Sequence, residues 1–250
     1  MDLISKAKLQ NIAAEKGFNL IYLEKDYFLT VLLYFLRDIQ GLYFKGGTAL
    51  NKIIFNHTRL SEDLDFTCTA KISEVKEKIQ KIVKENPAFF TGVGAGRENE
   101  KFVRVHIYYK SYFKEKECIN IDLNSRAKVY LGSERGYVRH FYSGIPDFNV
   151  TILNEKEIIA EKIRSLFQRN QPRDYFDACQ IIQSKNGIDE KLVKQKLKEV
   201  GMEYDISKIF KNSNKIYSNW EEEIISFTNK PITYKTAITA IAKYFRYKQR

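Results

Sequence analysis

The 250-residue chain is poor in cysteine and in histidine, with three of each. Cys68, Cys118 and Cys179 stand far apart and none forms a CxxC pair. An odd number of them argues against a disulfide framework, so reduced, mostly buried thiols in a cytoplasmic protein are expected. His57, His106 and His140 are too dispersed to suggest a zinc site. Long apolar runs are missing as well. The longest, Phe28 to Leu36, is too short to span a bilayer, and Asp2 and Lys6 interrupt the early apolar run a signal peptide would need. No repeats or low-complexity segments appear. The expectation is a protein without membrane partners.

What is there is enough for a real core. The length suits one large domain or two small ones, and 44% of residues are hydrophobic, with many Tyr, Phe and Ile, which excludes a disordered chain. The formal net charge is +11 and the isoelectric point about 9.3. Two readings of that charge stand side by side. Lysine-rich chains are common in AT-rich genomes, and a polyanionic partner, RNA first among them, rewards positive surface.

One stretch organises the rest: Lys45 to Phe66, reading KGGTALNKIIFNHTRLSEDLDF. Leu42, Tyr43 and Phe44 before it look like a short buried strand, and Thr48 to Phe55 has helical spacing. Gly46-Gly47 is then a strand-to-helix turn where backbone amides can meet phosphate. In Asp63-Leu64-Asp65-Phe66 the alternation of a strand sends Leu64 and Phe66 to the core and both aspartates to the other face. Adjacent carboxylates repel each other, and a divalent cation is the usual reason to pair them. A phosphate cradle beside a metal site is the minimum for nucleotide chemistry.

Along the chain, helices are predicted over residues 3 to 17, Leu20 to Ile39 and Ile72 to Glu85. TGVGAG at residues 91 to 96 reads as a loop between strands, not a ligand-binding glycine turn, because Arg97, Glu98, Asn99 and Glu100 follow it. Phe102 to Tyr109 alternates as a strand, and Ile119, Ile121 and Leu123 define another from which Asp122 projects. Asp122 is either a third site carboxylate or a solvated residue on an edge strand. Residues 128 to 150 are turn-rich and make a boundary. A helix follows from Glu155 to Gln168, with Asn154 and Glu157 in capping-box spacing. Lys162 and Arg169 share one face of it, beside the apolar stripe, and Asp174 and Asp177 share a face of the next helix, Arg173 to Gln183. From Lys185 onward the period is helical. The terminal FRYKQR suits RNA, although a frayed basic terminus has the same composition.

Two glycines, a helix and then S-x-D-h-D-h, with h apolar, resemble the nucleotidyltransferase superfamily that includes DNA polymerase β. The fuller form, GGTAL followed by RLSEDLDF and later E-x-x-x-E-K…R…R-D-x-x-D, resembles the AbiEii/AbiGii toxins of bacterial toxin–antitoxin and phage-defence systems. The likeness spans roughly the first 180 residues. It implies an α+β fold: a polymerase β-type nucleotidyltransferase core over residues 1–150, including two N-terminal helices, and a C-terminal helical region over 151–250 that completes the cleft. The activity implied is transfer of a nucleoside monophosphate from an NTP to an acceptor hydroxyl, often the 3′ end of tRNA, with a cognate antitoxin as partner. On this reading Asp63 and Asp65, with Asp122 as a possible third, hold Mg²⁺. Gly46, Gly47, Thr48 and Ser61 bind phosphates and Lys162 offsets triphosphate charge. Asp174 and Asp177 orient Lys162 and Arg169 or act directly, the alternative being an ordinary inter-helix salt-bridge network. Other acceptors, a protein or small-molecule hydroxyl, and a non-catalytic RNA-binding module remain open.

Overall fold

A computed structural model describes residues 1–184 and 186–247. These divide into two compact units, Met1–Asn154 and Glu155 onward.

In the first unit, α1 (Lys6–Lys16) starts where the Ser5 hydroxyl accepts from the Lys8 amide and stops at Gly17, whose φ of 70° is left-handed. The next helix, α2 (Leu20–Leu36), is capped by the Asn19 side chain and buried on nearly every side, as its apolar sequence requires. Helix α4 (Ile72–Glu85) is amphipathic, with Val75, Ile79 and Val83 buried. Seven strands form one sheet: β1 (Leu42–Lys45), β2 (Asp63–Cys68), β3 (Gly92–Asn99), β4 (Phe102–Tyr109), β5 (Glu117–Asn124), β6 (Ser133–Tyr137) and β7 (Asn149–Leu153), in the order β3-β4-β5-β2-β1-β7-β6. Leu64, Phe66, Val103, Val105, Ile107, Ile119, Ile121 and Leu123 fill the core face, against which α2 and α4 pack. Phe28 of α2 stacks on Tyr109 of β4 with ring centroids 4.2 Å apart.

Two stretches differ from expectation. TGVGAG is not a loop: Gly92 to Asn99 is the edge strand β3, paired antiparallel with β4 and bulged between Ala95 and Glu98. Its glycines make room for neighbours, since a Cβ on Gly94 would stand 2.8 Å from the Tyr108 ring and one on Gly96 2.8 Å from His106 Nε2. The turn-rich stretch 128–150 holds β6 and the start of β7, and β7 runs parallel to β1 beside it. Between β1 and β2 the helix is short and two-part: α3 (Gly46–Ala49), then a π-helical turn, Leu50–Ile54, that ends in left-handed Asn56 and His57.

The second unit is helical: α5 (Glu155–Gln168), α6 (Pro172–Gln183), α7 (Glu190–Glu199), α8 (Ser207–Phe210), α9 (Ser213–Ile225) and α10 (Tyr234–Tyr244). Helix α6 is its hub, with α5, α9 and α10 against it and Tyr175, Phe176 and Cys179 fully buried. In the terminal FRYKQR, Phe245 is buried and Tyr247 stacks on Phe210 at 4.1 Å, so these rings serve the unit's own packing. Lys248, Gln249 and Arg250 lie outside the described residues, as does Lys185. All three cysteines are free thiols, Cys68 and Cys179 buried. No helix among the described residues is long and apolar enough to cross a membrane.

Candidate active site

The site of the first unit begins where β1 ends. Lys45 is still extended, and Gly46 then turns with φ +77°. A Cβ at Gly46 would lie 2.1 Å from Asp65 Oδ2, so only glycine lets the carboxylate rest against this backbone. A Cβ at Gly47 would stand 2.9 Å from Arg59 Nη2 and 3.4 Å from Ser61 Oγ. The returning loop therefore places a buried guanidinium and a hydroxyl over the second glycine. Asn51 organises that arrangement. Its Nδ2 donates to the Gly47 carbonyl at 2.9 Å, while its Oδ1 accepts from Thr58 Oγ1 at 2.8 Å and the Arg59 amide at 3.1 Å. Thr48 is buried, and its hydroxyl donates to the Asp63 carbonyl at 2.5 Å, bracing α3 to the strand that carries the carboxylates.

Asp63 and Asp65 are half-buried and alternate with fully buried Leu64 and Phe66, the alternation read from the sequence. Parallel pairing of β2 with β5 sets Asp63 beside Asn120 and Asp65 beside Asp122, so all three aspartates occupy one sheet face. Asn120 Nδ2 donates to Asp63 Oδ1 at 2.8 Å, and Asn120 Oδ1 meets His106 Nδ1 at 2.7 Å. Asp122 is gripped by Arg104, Nε to Oδ1 and Nη2 to Oδ2, both at 2.7 Å. Hydrogen bonding to Asp122, with the charges of Asp122, Asp63 and Asp65 added, raises the Arg104 pKa further. Among the described residues no set of three or more His, Cys, Asp and Glu side chains is arranged to hold a metal ion. The Asp63–Asp65 pair offers oxygen donors alone, which fits a hard cation bound through one or two carboxylates and substrate phosphates.

Behind this turn lies a buried ion pair that the sequence did not reveal. Lys52 of the π-helical turn meets Asp26 of α2 at 2.8 Å and donates to Thr30 Oγ1 at 2.9 Å. The Tyr142 hydroxyl also donates to Asp26, at 2.9 Å. His57 Nε2 lies 3.5 Å from Lys52 Nζ. Burial first, then the Lys52 charge, pushes the His57 pKa down to about 3. The helical period hid Lys52 and Asp26 because both are charged residues at inward positions.

The second unit carries the other group of sequence-assigned residues. Lys162 is only 7% exposed, not solvated beside its stripe. It meets Asp174 at 3.2 Å and Asp177 at 2.9 Å. Arg169 clamps Asp174 through Nε at 2.8 Å and Nη2 at 2.9 Å, and its side chain is 51% exposed. Burial would raise the Asp174 pKa, but Lys162 and Arg169 outweigh it and hold the carboxyl below its ordinary value. A second buried cluster stands on the same helix: Lys196 of α7 meets Glu157 at 2.6 Å and Glu161 at 3.1 Å. Glu157, expected in capping-box spacing, thus carries a buried interhelical ion pair. The i, i+4 spacing of the two glutamates was the available signal.

A glycine turn against a carboxylate pair on a mixed sheet, in a chain that continues into a helical unit, is an arrangement suited to a nucleotidyltransferase. The sequence matches the nucleotidyl transferase AbiEii toxins of type IV toxin–antitoxin systems over residues 28–241, and the chain belongs to that family. Among curated proteins none matches it in sequence. Its fold is similar to MenT4, a nucleotidyltransferase toxin from Mycobacterium tuberculosis, at 19% identity and a TM-score of 0.71, covering 97% of this chain and 89% of that one. JHP933 from Helicobacter pylori matches at 19% identity and a TM-score of 0.61, covering 91% and 92%. A further Helicobacter pylori structure, described as a putative nucleotidyltransferase, matches at 18% identity and 0.60, covering 93% and 100%. Membership in the family brings an NTP substrate and an antitoxin partner with it.

Proposed function

We propose that the chain transfers a nucleoside monophosphate from an NTP to an RNA hydroxyl, the 3′ end of tRNA, and that this arrests translation. Asp63 and Asp65 would hold the Mg²⁺. The observation that carries this reading is the Gly46–Asp65 contact, where a carboxylate rests on a backbone that no side chain can obstruct. A phosphate chain bound at the Gly46-Gly47 amides would lie beside that carboxylate. A divalent cation, once bound, neutralises triphosphate charge and favours the ionised acceptor hydroxyl.

The chain's own residues do the positioning, which is most of phosphoryl-transfer catalysis. The Gly46 and Gly47 amides and the Ser61 hydroxyl would donate to the β- and γ-phosphates. Asn51 holds the Arg59 loop over Gly47, and Asn120, itself held by His106, fixes the orientation of Asp63. Arg169, the half-exposed member of its cluster, would offset phosphate charge, with Asp174 orienting it and Asp174 and Asp177 together orienting Lys162. The net charge of +11 supports a polyanionic acceptor.

The test is incubation with labelled NTPs and Mg²⁺ in the presence of total cellular RNA and protein. Label in tRNA-sized RNA, abolished by chelator, is the expected result. Label in protein alone, or in RNA with chelator present, would overturn the acceptor or the metal assignment respectively.

A further inference from the structure

Register places Asp122 directly beside Asp65, the position from which a third carboxylate would reach a shared cation. The side chain is otherwise engaged. Arg104 approaches from the antiparallel partner strand, where it is the register partner of Asp122, and takes both carboxylate oxygens in a two-point contact. Such planar pairing is the strongest form of an arginine–carboxylate bond. Both partners stand on paired strands of the sheet, so the contact needs no loop to order. The Asp122 side chain is 15% exposed and that of Arg104 39%. The aspartates of this face carry three negative charges, and Arg104 cancels one.

We propose that Arg104 occupies the place of a cation at Asp122, so that the metal site of this chain is built from Asp63 and Asp65 alone. Arg104 commits Nε and Nη2 to Asp122, and its remaining donors serve bound phosphate. The inference rests on the reading of Asp63 and Asp65 as metal ligands and goes beyond it by excluding the third acid. In physical terms Arg104 and Asp122 form a neutral pair that narrows the site to the ligand set Mg²⁺ uses with substrate phosphates.

The experiment measures Mn²⁺ binding to the full chain by electron paramagnetic resonance, without nucleotide. Thermal unfolding of each variant confirms that it is folded. The informative variant is the double substitution Arg104→Gln/Asp122→Asn, which removes the pair and conserves net charge. It should bind Mn²⁺ within about twofold of wild type, whereas Asp63→Asn should lose roughly tenfold or more, the effect of removing a true ligand. Arg104→Gln alone frees a carboxylate beside the site and should tighten Mn²⁺ binding by roughly tenfold, a gain that the double variant cancels. A double variant that loses as much as Asp63→Asn makes Asp122 a ligand and overturns the proposal. So does an Arg104→Gln chain that binds no more tightly than wild type. Equal Mn²⁺ binding by wild type and Asp63→Asn would fail differently: it would remove the Asp63–Asp65 metal site itself, and this inference with it.

Discussion

The two units both gather aspartates, and they treat them in opposite ways. In the first unit Asp63 and Asp65 stand half-buried on a strand, held in place by a glycine turn and by Asn120. In the second, Asp174 and Asp177 are 0% exposed and closed off by Lys162 and Arg169. A carboxylate that the sheet leaves partly exposed can present its charge to a ligand. A carboxylate sealed between helices uses its charge against its partner, and its removal damages the fold before it reaches any chemistry. On the proposed reading the same residue type would thus have two roles, and burial tells them apart where sequence does not.

The largest expected effect lies on the open side of that comparison. Asp63→Asn or Asp65→Asn should cut transfer by ~10³-fold or more, because a lost ligand charge weakens stabilisation of the transferring phosphoryl group. The unfolding midpoint should stay close to wild type. Single-turnover label transfer and thermal unfolding of the same preparation check both halves. A variant that loses stability and activity together would erase the distinction between the units.

The sealed side should answer in stability. Lys162→Met strips two buried aspartates of their shared cation, and such a one-sided deletion costs ~3–5 kcal/mol. Urea unfolding should show the loss in the absence of any nucleotide. Asp177→Asn made together with Lys162→Met should recover part of it, because it removes a buried charge that Lys162 had compensated, whereas Asp174 keeps its Arg169 clamp. An exposed lysine would have cost under about 0.5 kcal/mol, so the measurement separates the two readings of this position.

How far these contrasts could be read in advance depends on how local their causes are. The alternation of Asp63-Leu64-Asp65-Phe66 is a property of consecutive residues, and the strand follows it. Helix α4 likewise matches its period from Ile72 to Glu85. The grip of Arg104 on Asp122 depends on cross-strand register, which no single segment encodes. Strand β6, SERGY, has no apolar alternation and is held by pairing with β7. TGVGAG becomes a strand because Tyr108, His106 and Arg104 of β4 cover its glycines. The burial of Lys162 was hidden for a related reason. A lysine beside an apolar stripe faces water unless a neighbouring helix brings carboxylates to it, and α6 does.

A smaller effect sharpens the role of the glycine turn. Gly46→Ala must place a Cβ on the Asp65 carboxylate in a left-handed backbone, at ~1–3 kcal/mol for such a strained residue. It should also displace Asp65 and lower NTP affinity. Gly47→Ala, whose Cβ would meet the Arg59 guanidinium end and the Ser61 hydroxyl first, should cost less in both measures. Differential scanning fluorimetry with and without NTP compares them, and equal losses would show that the Asp65 contact has no special weight.

The last contrast is in acid sensitivity, and its signs differ in origin between the units. His57 is buried among Lys52, Asp26, His140 and Arg139, and its pKa falls from 6.5 to about 3, chiefly through burial. Once unfolded, it takes up a proton below pH 6.5; folded, it resists until about pH 3. The unfolded state therefore binds more protons between those values, and stability of the first unit falls as pH drops through that window. Asp174 behaves otherwise. Its folded pKa lies below the ordinary 3.8, so its contribution is present above that value and lost only as pH falls further. The first unit should begin to lose stability near pH 6, at no more than ~1.4 kcal/mol per pH unit from His57, while the second holds to lower pH. Hydrogen exchange at a series of pH values, read separately on β1–β2 and on α5–α6, measures the two slopes. The variant His57→Asn, whose side chain tolerates the left-handed backbone, should flatten the first slope and leave the second unchanged. An unaltered slope in that variant would assign the acid sensitivity to other groups.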